Sequence, residues 1–147
     1  MTTTHNQEET MALAEKFAQT LHGGEVVALH GDLGGGKTTF TKGLAEALKV
    51  EETITSPTFV MLKKYDGYVD HQKIELVHID AYRAETLDDI KSVGIEDFLN
   101  RRDVILVVEW AEKIHDILPQ KIIDINFKFV NENTREIEME DENDSSN

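Results

Sequence analysis

Apolar and polar positions alternate along the chain with two periods, one helical and one strand-like. Leu13, Phe17 and Leu21, with Ala14 and Ala18, recur at helical spacing. Asn6 with Glu9, or Thr4 with Gln7, supplies a cap at the start of this first helix, and Gly23-Gly24 is expected to end it. The helix should cover one edge of a sheet. Residues 25–30 (Glu-Val-Val-Ala-Leu-His) read as a buried strand, and residues 37–48 as an Ala/Leu-bearing helix.

A polar connector over 50–55 leads to Ser56-Pro57-Thr58-Phe59, where Pro57 turns Ser56 away from helix and begins an extended segment. Residues 59–65 and 73–80 predict an antiparallel hairpin around a long polar loop, 66–72, that contains Gly67. Thr86 and Asp89 cap a short helix over 87–93; Gly94 breaks it, and 95–100 add a helical turn or two. Residues 104–108 (Val-Ile-Leu-Val-Val) are continuously apolar, as a central parallel strand should be. Ile123, Ile125, Phe127 and Phe129 alternate with Asp124, Asn126 and Lys128, so this strand buries one face; 135–140 pairs with it across a turn at 131–134. Residues 1–140 are expected to form one domain. Residues 141–147 (Asp-Glu-Asn-Asp-Ser-Ser-Asn) have nothing to bury and read as an acidic, disordered tail. No internal repeat or domain boundary interrupts the pattern.

The 147 residues suffice for one domain with a real core. No stretch is apolar for long enough to span a membrane. The first ten residues carry neither the basic nor the apolar region of a signal peptide. Cysteine is absent, which excludes disulfides and thiolate metal sites; a cytoplasmic address is expected. Charge changes the picture most. Fifteen Lys and Arg stand against 29 Asp and Glu, a formal net charge of −14. Direct nucleic-acid binders draw most of their affinity from a basic face, so any nucleic-acid role here is expected to run through a protein partner.

Between the first strand and the second helix, residues 31–39 read Gly-Asp-Leu-Gly-Gly-Gly-Lys-Thr-Thr. Gly31, Gly36, Lys37 and Thr38 fit the phosphate-loop spacing. A Gly-rich turn folds its N–H groups around phosphate oxygens, and the helix that follows aims unpaired N–H groups and a partial positive charge at the same anion. Lys37 then reaches the β- and γ-phosphates, and the Thr38 hydroxyl ligates Mg²⁺. The context predicts an α/β fold: a single-domain, P-loop NTPase-like mixed sheet flanked by helices.

Such a site needs a second anchor for Mg²⁺, usually an acid at the end of a neighbouring strand. Glu109 follows the apolar strand and Asp80 ends the hairpin; both qualify. His78 reads as a satisfied sheet histidine and Tyr82 as a packing residue. Arg83 is either a surface residue or a stabiliser of phosphoryl charge; Trp110 is a core aromatic or a wall of the nucleotide pocket. Asn-Lys-x-Asp, the guanine-reading signature of small GTPases, is absent, which favours adenine.

The ordered set Gly-Asp-Leu-Gly-Gly-Gly-Lys-Thr-Thr, Ser-Pro-Thr-Phe, His-Ile-Asp-Ala-Tyr-Arg, Gly-Ile-Glu-Asp and Glu-Trp-Ala-Glu resembles the bacterial TsaE (YjeE/YdiB) ATPases from about Gln7 to Arg135. Gly35 stands where that family usually has Ala, a conservative change. The resemblance implies the ATPase component of the machinery that makes N6-threonylcarbamoyladenosine at position 37 of tRNAs reading ANN codons, acting with the TsaB–TsaD pair. It implies ATP and Mg²⁺ as cofactors. By that resemblance Lys37 and the amides of Gly34, Gly35, Gly36, Thr38 and Thr39 hold the phosphates, Thr38 and Glu109 ligate Mg²⁺, and Asp80 is needed for hydrolysis. Ser56 to Phe59 resembles a switch segment near the γ-phosphate. Trp110 lies beside the nucleotide, and Gln7 and Arg135 resemble base-side contacts.

Two other readings use the same loop. A small-molecule kinase would carry a Lys/Arg-rich lid insertion and an acceptor pocket, and the sequence shows neither. A nucleotide-dependent binding module would support its partners without hydrolysis.

Overall fold

The structure is a computed structural model and describes residues 1–31, 36–54, 62–82, 84–92, 94–111, 114–118 and 121–141. Among these described residues, seven strands form one mixed sheet in the order β1-β7-β6-β2-β5-β4-β3. They are β1 (Thr2–Thr4), β2 (Val26–Gly31), β3 (Leu62–Val69), β4 (Gln72–Asp80), β5 (Val104–Glu109), β6 (Ile123–Phe129) and β7 (Arg135–Asp141). Neighbours β6, β2, β5 and β4 run parallel, and β3, β7 and β1 pair antiparallel at the two flanks. Helices α1 (Gln7–Ala18), α2 (Lys37–Ala47) and α3 (Leu87–Lys91) complete the frame.

Strand β5 is buried at every position, which explains its unbroken apolar run: it lies between β2 and β4, with packed layers on both faces. On one face Val27, Leu29, Ile105, Val107 and Leu76 meet Ala14 and Phe17 of α1 and Phe40 and Leu44 of α2. Phe40 is fully buried, with Phe17 at 5.8 Å and Phe127 at 5.5 Å between ring centroids. Burial of such a side chain is worth about 1.5–3 kcal/mol. On the other face Ala28, Val77, Ile79, Leu106 and Val108 pack with Ile90, Ile95 and Ile114.

Several expectations need correction. Helix α1 does not cover a sheet edge. It lies over a face, because its apolar stripe packs against α2. It begins at the Asn6 cap, whose side chain accepts from the Glu9 amide at 2.8 Å. It ends at Ala18, before Gly23-Gly24. The chain tightens there: Thr20 and Leu21 bond three residues back, and the Thr20 hydroxyl also donates to the Phe17 carbonyl at 2.7 Å. Leu21 thus stays buried without being helical.

The β3–β4 connection is a tight turn at Asp70-His71, both at positive φ (49° and 68°), as two-residue hairpins of the first primed type demand. Gly67 lies inside β3 rather than in a loop. A Cβ there would sit 2.9 Å from the carbonyl oxygen of Leu48, which accepts the Tyr68 N–H at 2.7 Å. Glycine lets the strand close onto the C-terminal end of α2 and satisfy a carbonyl left over by that helix. Strand β1 was not foreseen, since three threonines carry no apolar signal. The expected extended segment at Ser56 to Phe59 and residues 142–147 of the expected tail lie outside the described residues; Asp141 itself ends β7.

Candidate nucleotide site

Alternation along the strands puts the chemistry on the α2 face. On β4, Leu76, His78 and Asp80 share that face; on β5, Ile105, Val107 and Glu109 do. Asp80 and Glu109 are direct register partners at the C-terminal ends of parallel strands, where open α/β sheets place their sites. Strand β2 ends beside them at Gly31, whose φ of +125° and close approach to β6 leave no room for a side chain: a Cβ would meet the Phe127 carbonyl oxygen at 2.0 Å. From Gly36, the N-cap, α2 then begins at the same end, so the positive end of its dipole faces the strand termini.

Lys37 is 5% exposed; its Nζ donates to the Gly31 carbonyl at 2.7 Å and lies 4.1 Å from the centre of the Trp110 ring. The Thr38 hydroxyl donates to Oε1 of Glu109 at 3.3 Å, and Oε2 of Glu109 lies 2.6 Å from Nε2 of His78. Asp80 accepts the Tyr82 N–H through Oδ1 at 2.9 Å. Its carboxyl is pushed above the ordinary range, first by burial and then by the Glu109 charge, against the Tyr82 N–H, His78 and Lys37. Trp110 follows β5 with a φ of 59°, unusual for a bulky residue, and its ring packs 5.0 Å from that of Tyr82, tilted by 45°. That strained step brings the indole over Lys37.

A cleft of about 640 Å³ joins these groups. Gln7, Gly36, Lys37, Thr38, Thr39, Asp80, Glu109, Trp110 and Arg135 all line it. Gly34, Gly35 and Arg83 lie outside the described residues. Arg135 opens β7 and donates to the carbonyls of Asn131 and Thr134, with its guanidinium 4.6 Å from the Phe129 ring. Asn6, Glu8, Thr10, Tyr82, Glu132 and Asn133 also line the cleft, unforeseen. Of these, Asn6 and Thr10, the cap and the first turn of α1, carry no functional signal in the sequence. His78 is the more telling miss. It is wholly buried and bonded to the acid rather than to the sheet, and its place two residues before Asp80, on the same face, was the available clue.

The lining mixes Lys37 and Arg135 with Glu8, Asp80, Glu109 and Glu132. A polyphosphate entering among these carboxylates needs a divalent cation to offset the repulsion. Among the described residues no cluster of three or more His, Asp or Glu would hold an ion alone. Mg²⁺ is ordinarily held by one or two protein oxygens together with phosphate oxygens, and the Thr38 hydroxyl and the Glu109 carboxylate, 3.3 Å apart, could supply such oxygens. Among the described residues no helix is long and apolar enough to cross a membrane.

Known proteins are similar along nearly the whole chain. A family model described as "Threonylcarbamoyl adenosine biosynthesis protein TsaE" matches residues 4–137. A protein of Bacillus subtilis (strain 168), named tRNA threonylcarbamoyladenosine biosynthesis protein TsaE, is 42% identical over 134 residues, covering 91% of this chain and 80% of the relative. A protein of the same name from Aquifex aeolicus (strain VF5) is 39% identical over 136 residues, covering 91% and 90%. The crystal structure of Bacillus subtilis YdiB matches with a TM-score of 0.71 at 39% identity, covering 92% of this chain and 80% of that one.

Proposed function

The chain belongs to the TsaE family, and from that premise we propose that it is the Mg²⁺-dependent ATPase of the machinery that forms N6-threonylcarbamoyladenosine at position 37 of tRNAs reading ANN codons. The observation that carries the ATPase reading is the meeting of Thr38 and Glu109 at 3.3 Å across 71 residues of chain, beside Lys37 at the head of α2. A Gly-rich turn alone binds an anion. A hydroxyl and a carboxylate converging at its edge suit an anion that arrives with Mg²⁺.

In this reading Lys37 leaves the Gly31 carbonyl for the phosphates, and the amides of Gly34, Gly35, Gly36, Thr38 and Thr39 cradle them. Thr38 and Glu109 hold Mg²⁺, which when bound neutralises phosphate charge. Asp80 orients the attacking water and accepts its proton, a task suited to a carboxyl whose proton affinity is raised by burial. Trp110 and Tyr82 form one wall of the nucleotide pocket, with Gln7 and Arg135 on the base side. Catalysis is positioning and charge stabilisation about the γ-phosphate.

The partners are the TsaB–TsaD pair, and tRNA is reached only through them. A net charge of −14 disfavours direct contact with RNA phosphates and favours a partner with a basic face. The test is phosphate release from ATP, measured for the chain alone, then with the purified TsaB–TsaD pair, then with tRNA. Hydrolysis that rises with the pair, and no tRNA binding by the isolated chain in anisotropy, is expected. Phosphate transferred to a small acceptor instead of water would move the reading to a kinase. A submicromolar tRNA complex formed by this chain alone would overturn the partner-mediated route.

A further inference from the structure

Glu109 is held from two sides. Oε1 takes the Thr38 hydroxyl from α2, and Oε2 takes Nε2 of His78 from β4, at 3.3 Å and 2.6 Å. Both His78 and Glu109 are almost wholly enclosed, with side-chain exposures of 0% and 5%. The register explains how the ring reaches the acid. His78 lies beside Val107 of β5, two residues before Glu109 on the same face, so the imidazole points along the sheet at the strand end.

The other ring nitrogen, Nδ1, is buried with no hydrogen-bond partner among the described residues. A hydrogen on Nδ1 would be stranded there, so the hydrogen-bond network assigns it to Nε2, which donates to Glu109. A histidine serving only the core would be expected to satisfy both nitrogens; this one spends its single donor on the acid.

A Glu carboxylate turns freely about its last torsion, which is broad and two-fold, so a lone Glu109 would offer either oxygen to the cleft. The Nε2–H pins one oxygen, leaving Oε1 on the Thr38 side. We propose that His78 is a positioning residue for Mg²⁺, holding Glu109 in the orientation that completes a metal site with Thr38. The inference rests on the reading of Thr38 and Glu109 as metal donors. Outer partners of metal ligands of this kind commonly govern affinity by 10–100-fold.

The measurement is the affinity for a non-hydrolysable ATP analogue by calorimetry, with Mg²⁺ and with EDTA; the ratio of the two is the gain due to metal. In His78→Leu the gain should fall about 10–100-fold while the affinity in EDTA stays at the wild-type value. His78→Gln, whose amide N–H reaches as far as Nε2, should keep the gain within about threefold; His78→Asn, whose amide stops short, should lose it like Leu. A histidine with a merely structural role would change both affinities alike. Thermal melts check that each variant folds, and the Gln–Asn contrast stands even if His78→Leu does not fold. Glu109→Gln is measured in parallel. If Glu109→Gln loses the gain but His78→Leu keeps it, or if Gln and Asn at position 78 behave alike, the positioning role is overturned. If Glu109→Gln itself keeps the gain, the reading of Glu109 as a metal donor fails instead.

Discussion

The ends of β4 and β5 carry acids at one register level, yet they are built in opposite ways. Glu109 is 4% exposed, and both of its carboxylate oxygens are occupied by side chains. Asp80 is only partly buried, is held through Oδ1 by a backbone N–H, and is followed by Tyr82, 49% exposed. The difference lies in the neighbours. Strand β5 has parallel strands on both sides, so His78 near the end of β4, and Thr38 just after β2, arrive at its tip. Strand β4 has β5 on one side and the antiparallel β3 on the other, which brings its beginning rather than its end. A carboxylate at β5 is therefore fixed, as a metal donor should be. The one at β4 stays less constrained and desolvated enough to hold a proton more tightly, as a group handling water should be.

The sharpest way to break this comparison is Glu109→Ala. It should cost about 10–100-fold in Mg²⁺-supported nucleotide affinity and on the order of 10²–10³ in hydrolysis, with affinity in EDTA little changed. Calorimetry and phosphate release check it. Asp80→Ala should behave differently: Mg-ATP affinity near wild type, hydrolysis down on the order of 100-fold. Exchanged phenotypes would swap the two roles.

A subtler contrast comes from pH. The Asp80 pKa is raised on folding, so the folded chain binds that proton more tightly than the unfolded chain. The stability this contributes is complete below the ordinary Asp range, about pH 4, and is lost as pH rises through the raised folded value. Asp80→Asn without nucleotide should accordingly melt a degree or two above wild type, roughly, at pH 7, with the gap closing below about pH 4. No gap at pH 7 would mean that the end of β4 is as well solvated as open surface.

The smallest effect on chemistry is expected at Gly43 of α2, far along the helix from both acids. A Cβ there would meet Met11 of α1 at 2.7 Å (carbonyl oxygen) and 2.8 Å (Cα), and Ala14 Cβ at 3.0 Å. Gly43→Ala should lower stability by about 1–3 kcal/mol in denaturant melts while leaving the metal gain in nucleotide affinity unchanged. A change in that gain would mean that general destabilisation of the fold, not the local site, sets the metal dependence.

What the sequence determined by itself was whatever a few adjacent residues decide. The apolar run of β5, the alternation in β6, the Asn6 cap and the Thr86–Asp89 capping box are local patterns, and the structure forms each element they predict; the phosphate-loop spacing at 31–38 is equally local, and its residues 32–35 lie outside the described residues. The acids at strand ends were legible for the same reason: a strand's last residue is set by where its apolar pattern stops. Tertiary structure decided the rest, because each remaining feature joins residues far apart in the chain. Gly67 is required by Leu48, not by a turn of its own. The threonines of β1 become a strand only because β7 offers an edge more than 130 residues later. Pairing β5 with β4 turns His78 from a sheet histidine into the partner of Glu109, 31 residues on. No period or propensity within β4 encodes that bond; it exists because two parallel strands end side by side.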